Sequence, residues 1–327
     1  MPFESLSWGT PTRIALGRLV FDVSMTGPEA GDPVVLLHGF PQSRAAWAEV
    51  APRLAAAGLR VIAPDQRGYS PGARPVGPAN YHIDALVGDV LGLLDAIGLP
   101  AVHLVGHDWG ATVAWFVAAR HPDRVRSLTA VSVPHPAAFG RALAGDADQR
   151  EGSAYIRLFR TEKAERVLLA DDARRLRRWF PAAVPRALVD LYLGELRHPG
   201  ALTARLNWYR AMTRDFQALG PVVVPTTYVW GAGDVALRRT AALLCAEQVT
   251  GEYRFAELSS TGHWIPEVAP DALVSHILAR IASPSYRVEW FDVSNRETTV
   301  EPERTAEFSA PFPPGPAVVH LHRTPEE

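Results

Sequence analysis

The segment Gly106–Gly110 (GHDWG) constrains the fold of this chain more than any other. It follows a short apolar run, Val102–Val105, that predicts a buried strand, and it precedes a helical pattern at Ala111–Ala119. A strand that turns at once into a helix needs small residues on both sides of the turn, because the two segments approach closely. Asp108 stands at the apex of this predicted elbow, where a side chain is presented to a site. It is therefore a candidate nucleophile, and the alternative is that it only caps the helix.

The first 136 residues alternate between predicted strands and predicted helices. Short apolar runs that end in turn residues predict buried strands, and apolar residues at helical spacing predict helices. Because such alternation requires right-handed crossovers, we expect the α/β class, with a mostly parallel central sheet flanked by helices. The predicted strands are a hairpin at 13–25, Val34–Leu37, Arg60–Asp65, Val102–Val105 and Val125–Val133, and the predicted helices are Ile83–Ile97 and Ala111–Ala119.

The pattern changes in the middle of the chain. Residues 137–220 show no convincing strand and are rich in Arg and Ala at helical spacing, with several proline interruptions. Strands resume at Thr226–Trp230 and Tyr253–Leu258, each followed by a predicted helix. We therefore predict an all-helical cap at 137–220, inserted after the sixth strand of a core that is formed by residues 1–136 and 221–283.

Residues 284–327 lie outside this plan. They contain two short strand-like runs, RVEWFDV and AVVHLH, separated by a charged stretch and a proline-rich turn. The segment is too short to form an independent core. We interpret it as a C-terminal extension that forms either a small β appendage or a partly disordered tail.

Composition and charge exclude several classes of function. The chain has 327 residues and a formal net charge of −2, which argues against a nucleic-acid surface. Its N-terminus lacks the pattern of a signal peptide, and no apolar run approaches the length of a membrane span. The single cysteine, Cys245, excludes an intrachain disulfide and is interpreted as a buried structural thiol. We expect a soluble cytoplasmic protein, a monomer or homodimer, that binds neither nucleic acid nor membrane.

A loop that could stabilise negative charge follows the strand Val34–Leu37. This loop, His38–Pro41 (HGFP), lies at the end of a strand that we expect beside the elbow. The backbone N–H of Phe40 could then pair with that of Trp109 around a developing oxyanion. The alternative is an ordinary turn, since Gly and Pro are common in turns.

Two further residues could complete a catalytic triad with Asp108. Asp234 closes the strand TTYVWGAGD, and His263 lies in the loop after the next strand. The order of nucleophile, acid and histidine is the chain order of hydrolases whose nucleophile lies at a turn between a strand and a helix. Histidine supplies a base near neutral pH, and a buried carboxylate would orient it. Each residue alone would be an ordinary turn or structural residue, so the prediction rests on their combination.

The predicted cap contributes two tyrosines in distinctive settings. Tyr155 lies in GSAYIRLF and Tyr209 in RLNWYRAM. A phenol can donate a proton or a strong hydrogen bond to a leaving oxygen, and the alternative is that each ring only packs between cap and core. We interpret Tyr192 as solvated surface, together with the cap arginines Arg174, Arg175, Arg177 and Arg178.

Taken together, these segments resemble the epoxide-hydrolase branch of the α/β hydrolases, which also includes haloalkane and fluoroacetate dehalogenases. The resemblance covers roughly residues 10–282 and is specific because separate motifs occur in order. Ser70 stands where relatives often have Gly, which we expect to be harmless. The motifs are HGFP (His38–Pro41), DQRGYS (Asp65–Ser70), GHDWG (Gly106–Gly110), Tyr155, LNWYR (Leu206–Arg210), GAGD (Gly231–Asp234) and GHW (Gly262–Trp264).

The resemblance implies an α/β-hydrolase fold and a role for each matching residue. Asp108 would attack an epoxide carbon and form an ester, while Tyr155 and Tyr209 hold and protonate the epoxide oxygen. His263, oriented by Asp234, would activate water against that ester and release a vicinal diol. The backbone N–H groups of Phe40 and Trp109 would stabilise the oxyanion. We also assign His38, Pro41 and Trp264 to the substrate pocket, and we expect a hydrophobic small-molecule epoxide, no cofactor and no metal.

Three rival functions remain at this point. A haloalkane or haloacid dehalogenase shares the Asp nucleophile but needs side-chain N–H donors for the halide, and Phe40 offers none. A serine esterase lacks support because no GxSxG elbow is present. A non-enzymatic ligand-binding homologue is a different class of answer, since fold does not fix function, but it would predict a decayed catalytic position.

Overall fold

The computed structural model describes residues 8–282, 286–292, 297–304 and 317–323, without the side chains of residues 214–215 and of the segments from 286 onwards. The chain divides into two compact units, Met1–Arg280 and Ile281–Glu327.

The first unit is built on an eight-stranded sheet. Its strands lie in the order β1-β2-β4-β3-β5-β6-β7-β8. Strands β1, β2 and β4 pair antiparallel, and every other neighbouring pair is parallel. The strands are β1 (Thr10–Leu16), β2 (Leu19–Thr26), β3 (Pro33–Leu37), β4 (Arg60–Pro64), β5 (Val102–His107), β6 (Val125–Val131), β7 (Thr226–Gly231) and β8 (Tyr253–Leu258).

Helices connect the strands, and six of them lie between β6 and β7. Those six are α4 to α9, and the others join strands of the sheet or follow it. The helices are α1 (Ala51–Ala56), α2 (Ile83–Ala96), α3 (Trp109–Arg120), α4 (Pro136–Gly145), α5 (Ala147–Gly152), α6 (Tyr155–Phe159), α7 (Ala164–Arg177, with a non-helical break at 170–173), α8 (Arg186–Glu195), α9 (Ala201–Arg210), α10 (Arg239–Leu244), α11 (Ile265–Val268) and α12 (Pro270–Ile281).

The burial pattern follows from the layered arrangement. Strands β3 and β5 are buried at every position, because a central parallel strand is covered on both faces. Helix α2 buries one face, with apolar residues three or four positions apart, whereas α3 is buried at all of its first ten residues. Helix α3 therefore lies at the centre of the unit, directly behind the end of β5. Cys245 is a buried free thiol, as predicted.

The second unit contains a three-stranded antiparallel sheet in the order β10-β9-β11. Its strands are β9 (Tyr286–Asp292), β10 (Glu297–Arg304) and β11 (Ala317–Arg323). The two predicted strand-like runs lie in β9 and β11, and the charged stretch between them forms β10, which we did not predict. Within the described residues, no helix is long and apolar enough to cross a membrane.

Candidate active site

The candidate site lies where four parallel strands end. Phe40 follows β3, Asp108 follows β5, Asp234 follows β7 and His263 follows β8. The carboxyl ends of parallel strands meet at one edge of a sheet, which is where ligands bind in α/β folds. The topology therefore brings together residues that are far apart in the sequence.

Asp108 lies at a strained elbow between β5 and α3. Its φ is 52° and its ψ is −119°, a conformation that L-residues rarely adopt. The flanking glycines make this turn possible: a Cβ on Gly106 would lie 2.3 Å from the carbonyl oxygen of Gly110, and one on Gly110 would lie 2.0 Å from that of Leu37. The Asp108 side chain makes no capping hydrogen bond to α3. The alternative that Asp108 is only a helix cap is therefore wrong.

Both oxygens of the Asp108 carboxylate have partners in the site. Oδ1 accepts a hydrogen bond from the backbone N–H of Phe40 at 2.7 Å, and Oδ2 lies 3.5 Å from Nε2 of His263. Gly39 allows this close approach, since a Cβ there would lie 2.3 Å from the Cβ of Asp108. Trp109 is the first residue of α3, so its N–H is one of those that have no partner within the helix. The predicted oxyanion loop thus already faces the carboxylate.

The third member of the site is Asp234, which is 2% exposed. Its Oδ2 lies 2.7 Å from Nδ1 of His263. Its Oδ1 accepts hydrogen bonds from the backbone N–H groups of Ala236 and Leu237 at 2.8 and 3.0 Å. Because both oxygens are held, Asp234 fixes the ring of His263 with Nε2 directed towards Asp108.

The charges of these groups depend on one another. Burial by itself would lower the pKa of His263, but the negative charges of Asp234 and Asp108 and the hydrogen bonds to them outweigh it and raise that pKa to about 10. Burial would likewise raise the pKa of Asp108, but the hydrogen bond and charge of His263 outweigh it and lower that pKa. At neutral pH these shifts favour an imidazolium at His263 beside an ionised Asp108.

Tyr155 and Tyr209 line the same cavity as Asp108. Tyr155 begins α6, Tyr209 lies near the end of α9, and their ring centroids are 6.3 Å apart. Burial raises the pKa of both phenols well above the ordinary value, so both stay protonated and can donate. The rest of the lining is mostly apolar: Trp109, Thr112, Val133, Pro134, Pro136, Phe139, Ile156, Met212, Phe216 and Leu237.

The lining of this cavity does not include His38, Pro41 or Trp264, whose place in the substrate pocket stays a prediction. His38 is wholly buried; its Nε2 accepts from the N–H of Gln66 at 3.2 Å and its Nδ1 lies 3.0 Å from the carbonyl oxygen of Gly39. Pro41 is buried next to it. Trp264 packs 4.2 Å from the ring of Phe180.

A buried polar network behind His263 was missed by the sequence reasoning. The carbonyl oxygen of His263 lies 2.8 Å from Nε2 of His107 and accepts from Ser132 Oγ at 2.8 Å. His107 Nδ1 lies 2.9 Å from Oε1 of Gln42, whose Nε2 donates to Glu267 at 2.6 Å. The network fixes the backbone of the histidine loop. Gln42 adjoins the HGFP motif and His107 lies within GHDWG, which was the available signal.

Tyr192 belongs to this network, and its prediction as solvated surface is wrong. It is wholly buried, and its hydroxyl donates to Oε1 of Glu267 at 3.2 Å. Burial raises the pKa of Glu267 to about 7. A titratable carboxyl therefore lies below the site without facing the cavity. Among the described residues, no three His, Cys, Asp or Glu side chains are grouped so that they could hold a metal ion.

Residues 32–270 match the α/β-hydrolase fold family. The chain belongs to this family. Epoxide hydrolase A of Mycobacterium tuberculosis is 32% identical, over 76% of this chain and 91% of the relative. The AB hydrolase superfamily protein YfhM of Bacillus subtilis is 35% identical, over 80% of this chain and 93% of the relative. The α/β-hydrolase fold that we predicted is confirmed.

Solved structures agree with these relatives. An epoxide hydrolase from metagenomes of hot environments superposes with a TM-score of 0.77 at 30% identity, over 84% of this chain and 99% of that chain. Epoxide hydrolase A from Mycobacterium thermoresistibile superposes with a TM-score of 0.73 at 29% identity, over 83% and 98%. The predicted resemblance to epoxide hydrolases is thereby confirmed.

Proposed function

We propose that this protein hydrolyses epoxides to vicinal diols through a covalent ester on Asp108. The observation that carries the proposal is that an ionised carboxylate and two protonated phenols, those of Tyr155 and Tyr209, line one cavity. An epoxide needs a nucleophile at carbon and a proton donor at oxygen at the same moment. The epoxide-hydrolase relatives support the same reaction.

In the first step, a carboxylate oxygen of Asp108 attacks an epoxide carbon and breaks its bond to oxygen. Oδ1 is held by the N–H of Phe40 at 2.7 Å, whereas Oδ2 lies 3.5 Å from Nε2 of His263, so Oδ2 is the less tightly held nucleophile and Oδ1 becomes the ester carbonyl. The leaving epoxide oxygen takes a proton from the tyrosine pair. The product of this step is a hydroxyalkyl ester of Asp108.

In the second step, His263 activates water against the carbonyl carbon of that ester. Esterification removes the negative charge of Asp108, which is one of the groups that raise the pKa of His263. The imidazolium can then give up its proton, which restores the phenol that the first step left as a phenolate, and act as a base. Oδ1 carries the developing negative charge, and the N–H groups of Phe40 and Trp109 stabilise it. Collapse of this intermediate releases the diol and restores Asp108.

The cavity argues against the dehalogenase alternatives. Among the described residues that line it there is no Arg or Lys, so a haloacid carboxylate would have no cationic partner. The loop position beside the nucleophile is Phe40, which gives no side-chain N–H to a halide. The tyrosine pair fits an oxygen leaving group instead. A non-enzymatic homologue is disfavoured by the complete set of Asp108, His263 and Asp234.

The mostly apolar lining favours a neutral, hydrophobic epoxide. The six helices between β6 and β7 support the assignment of 137–220 as a cap, with 284–327 as a separate extension. We further infer that the protein works in the cytoplasm as a monomer or homodimer and binds no nucleic acid, which its near-zero net charge supports.

The test is a comparison of substrates followed by capture of the ester. Wild-type protein should form diol from racemic styrene oxide, and Asp108→Ala should not; halide release from chloroacetate or 1-chlorobutane without any diol would favour a dehalogenase. His263→Gln should stop ester hydrolysis, so intact mass should rise by one substrate, with the added mass on the peptide that contains Asp108. His276→Gln, on α12, is the matched control and should turn over without an adduct.

A further inference from the structure

We propose that Arg205 is a positioning residue that fixes the cap helix of Tyr209 to the loop of Phe40, and that both half-reactions depend on this contact. The inference rests on the proposed function. The buried guanidinium of Arg205 holds the proton donor of the first step, Tyr209, at a fixed position relative to the oxyanion donor of the second step, the N–H of Phe40.

The environment of Arg205 is unusual for a surface-seeking side chain. It lies on α9 and is 0% exposed, whereas arginine is almost never fully buried unless it is paired. Nη2 donates to Oε2 of Glu195 at 2.8 Å, and Nη1 donates to the carbonyl oxygen of Pro41 at 3.2 Å. The guanidinium also lies 4.5 Å from the ring centroid of Tyr69. A cap cation therefore binds directly to the backbone of the core loop.

The contact to Pro41 acts on the oxyanion donor. The carbonyl of Pro41 is one residue beyond Phe40, whose N–H donates to Asp108 at 2.7 Å. A second hydrogen bond holds the same loop, in which the N–H of Gly39 donates to Gln42 Oε1 at 3.2 Å. Arg205 adds a support from the cap side. Movement of the Pro41 peptide would tilt the Phe40 N–H away from the carboxylate.

The position of Arg205 on α9 acts on the proton donor. Tyr209 is four residues further along, so the two side chains lie on one face of the helix. The ring of Tyr209 packs edge-on against Phe40 and Trp109, with centroids 5.6 and 5.1 Å apart. Because Arg205 binds the loop that carries Phe40, it fixes the distance between α9 and that loop, and with it the position of Tyr209 in the cavity lining.

Simultaneous binding of Glu195 and the Pro41 carbonyl requires the shape of an arginine side chain. A planar guanidinium can reach Glu195 with one nitrogen and Pro41 with another, whereas a lysine ammonium is a single point on a flexible stem. Nε of Arg205 is buried and has no hydrogen-bond partner within the described residues, so the two terminal nitrogens alone make these contacts.

Arg210 provides a matched control on the same helix. It is adjacent to Tyr209, and its guanidinium donates to both carboxylate oxygens of Glu165 at 2.9 Å and to the carbonyl oxygen of Thr161 at 3.0 Å. All of these partners belong to the cap. Loss of Arg210 therefore removes a partly buried ion pair from α9 but leaves the contacts of the Phe40 loop unchanged.

The experiment measures ester formation and ester decay separately, in single turnovers of full-length protein with racemic styrene oxide, by rapid quench and intact mass. Arg205→Met should slow both steps at least tenfold, whereas Arg210→Met should leave both within twofold, even where the two variants lose similar thermal stability. Arg205→Lys, which can keep the contact to Glu195 but not both contacts, should slow ester decay at least threefold and serves as the test if Arg205→Met does not fold.

The outcomes separate this inference from the proposed function. If wild-type protein forms no ester on Asp108, the proposed function fails. If wild type forms and hydrolyses the ester but folded Arg205→Met or Arg205→Lys does so at wild-type rates, the positioning role is overturned. Equal slowing in Arg205→Met and Arg210→Met would also overturn it, since that result would report only general damage to the cap.

Discussion

The backbone N–H of Phe40 donates to Oδ1 of Asp108 at 2.7 Å. The donor that is predicted to hold the oxyanion therefore binds the nucleophile first. In the resting enzyme this contact favours the ionised carboxylate, and in the second step it stabilises the charge that develops on the same oxygen. One hydrogen bond thus serves both half-reactions, and the other oxygen, Oδ2, which lies 3.5 Å from Nε2 of His263, is the one expected to attack.

The tyrosine pair should control opening of the epoxide. Removal of one phenol in Tyr155→Phe or Tyr209→Phe should slow ester formation about 10- to 100-fold, and removal of both should slow it at least about 1,000-fold, because a general acid contributes rates of this order. The measurement is the burst of ester formation in stopped flow. Tyr81→Phe is the control, since that hydroxyl donates to the carbonyl oxygen of Pro75, away from Asp108. Undiminished bursts in the double variant would show that the acid lies elsewhere.

The charge of Asp108 should set the protonation of His263. The pKa of His263 is raised to about 10, and burial opposes that rise while Asp234 and Asp108 cause it. Asp108→Asn removes one negative charge, as esterification does, so the pKa should fall by more than one unit. Titration of the ring proton of His263 by NMR in the two proteins tests this. An unchanged pKa would contradict the switch from imidazolium to base on which the second step depends.

Glu267 should make the stability of the protein depend on pH. Burial raises its folded-state pKa to about 7 from the ordinary value of 4.5. Between these pH values the native state binds a proton that the unfolded state has lost, so this group lowers the free energy of unfolding as the pH rises through that window. Glu267→Gln should abolish this decrease in the free energy of unfolding, which amounts to about 3 kcal/mol across the window. Urea unfolding from pH 4.5 to 8 gives the difference between variant and wild type, and a difference that is constant with pH would contradict the assignment.

The elbow should tolerate no side chain at Gly110. A Cβ there would lie 2.0 Å from the carbonyl oxygen of Leu37, so Gly110→Ala should lower the free energy of unfolding by at least about 2 kcal/mol and abolish activity. Gly88→Ala is the control, because a Cβ at this position in α2 meets nothing within 4 Å and alanine favours the helix by about 0.5–1 kcal/mol. Urea unfolding of both variants measures the contrast. A Gly110→Ala protein as stable as wild type would show that the close approach is not needed.

The part of the site that could be predicted from sequence is the part set by local backbone geometry. The glycines around Asp108 and the turn at Phe40 indicate strand ends directly, and the order of Asp234 and His263 follows from the order of strands. The eight-stranded sheet and the helices inserted after β6 could be predicted for the same reason, since hydrophobic periodicity is a local property.

The supporting contacts could not be predicted because they depend on how distant elements pack. Gln42 and Glu267 are 225 positions apart and meet only when α11 closes over the loop after β3. Tyr192 looked like a surface residue because its burial depends on the packing of α8. His38, Pro41 and Trp264 adjoin site residues in sequence, and which side chains enter the pocket depends on the same long-range packing.

A single turnover in water enriched in ¹⁸O, with enzyme in excess over styrene oxide, measures directly whether Asp108 or water attacks the epoxide. If Asp108 attacks the epoxide, the new oxygen of the first diol comes from its carboxylate, and the label enters Asp108 when water hydrolyses the ester. Attack by Asp108 predicts unlabelled diol and one ¹⁸O in the peptide that contains Asp108. Diol that carries ¹⁸O, with an unlabelled Asp108 peptide, would show that water attacks the epoxide directly and would contradict the covalent mechanism.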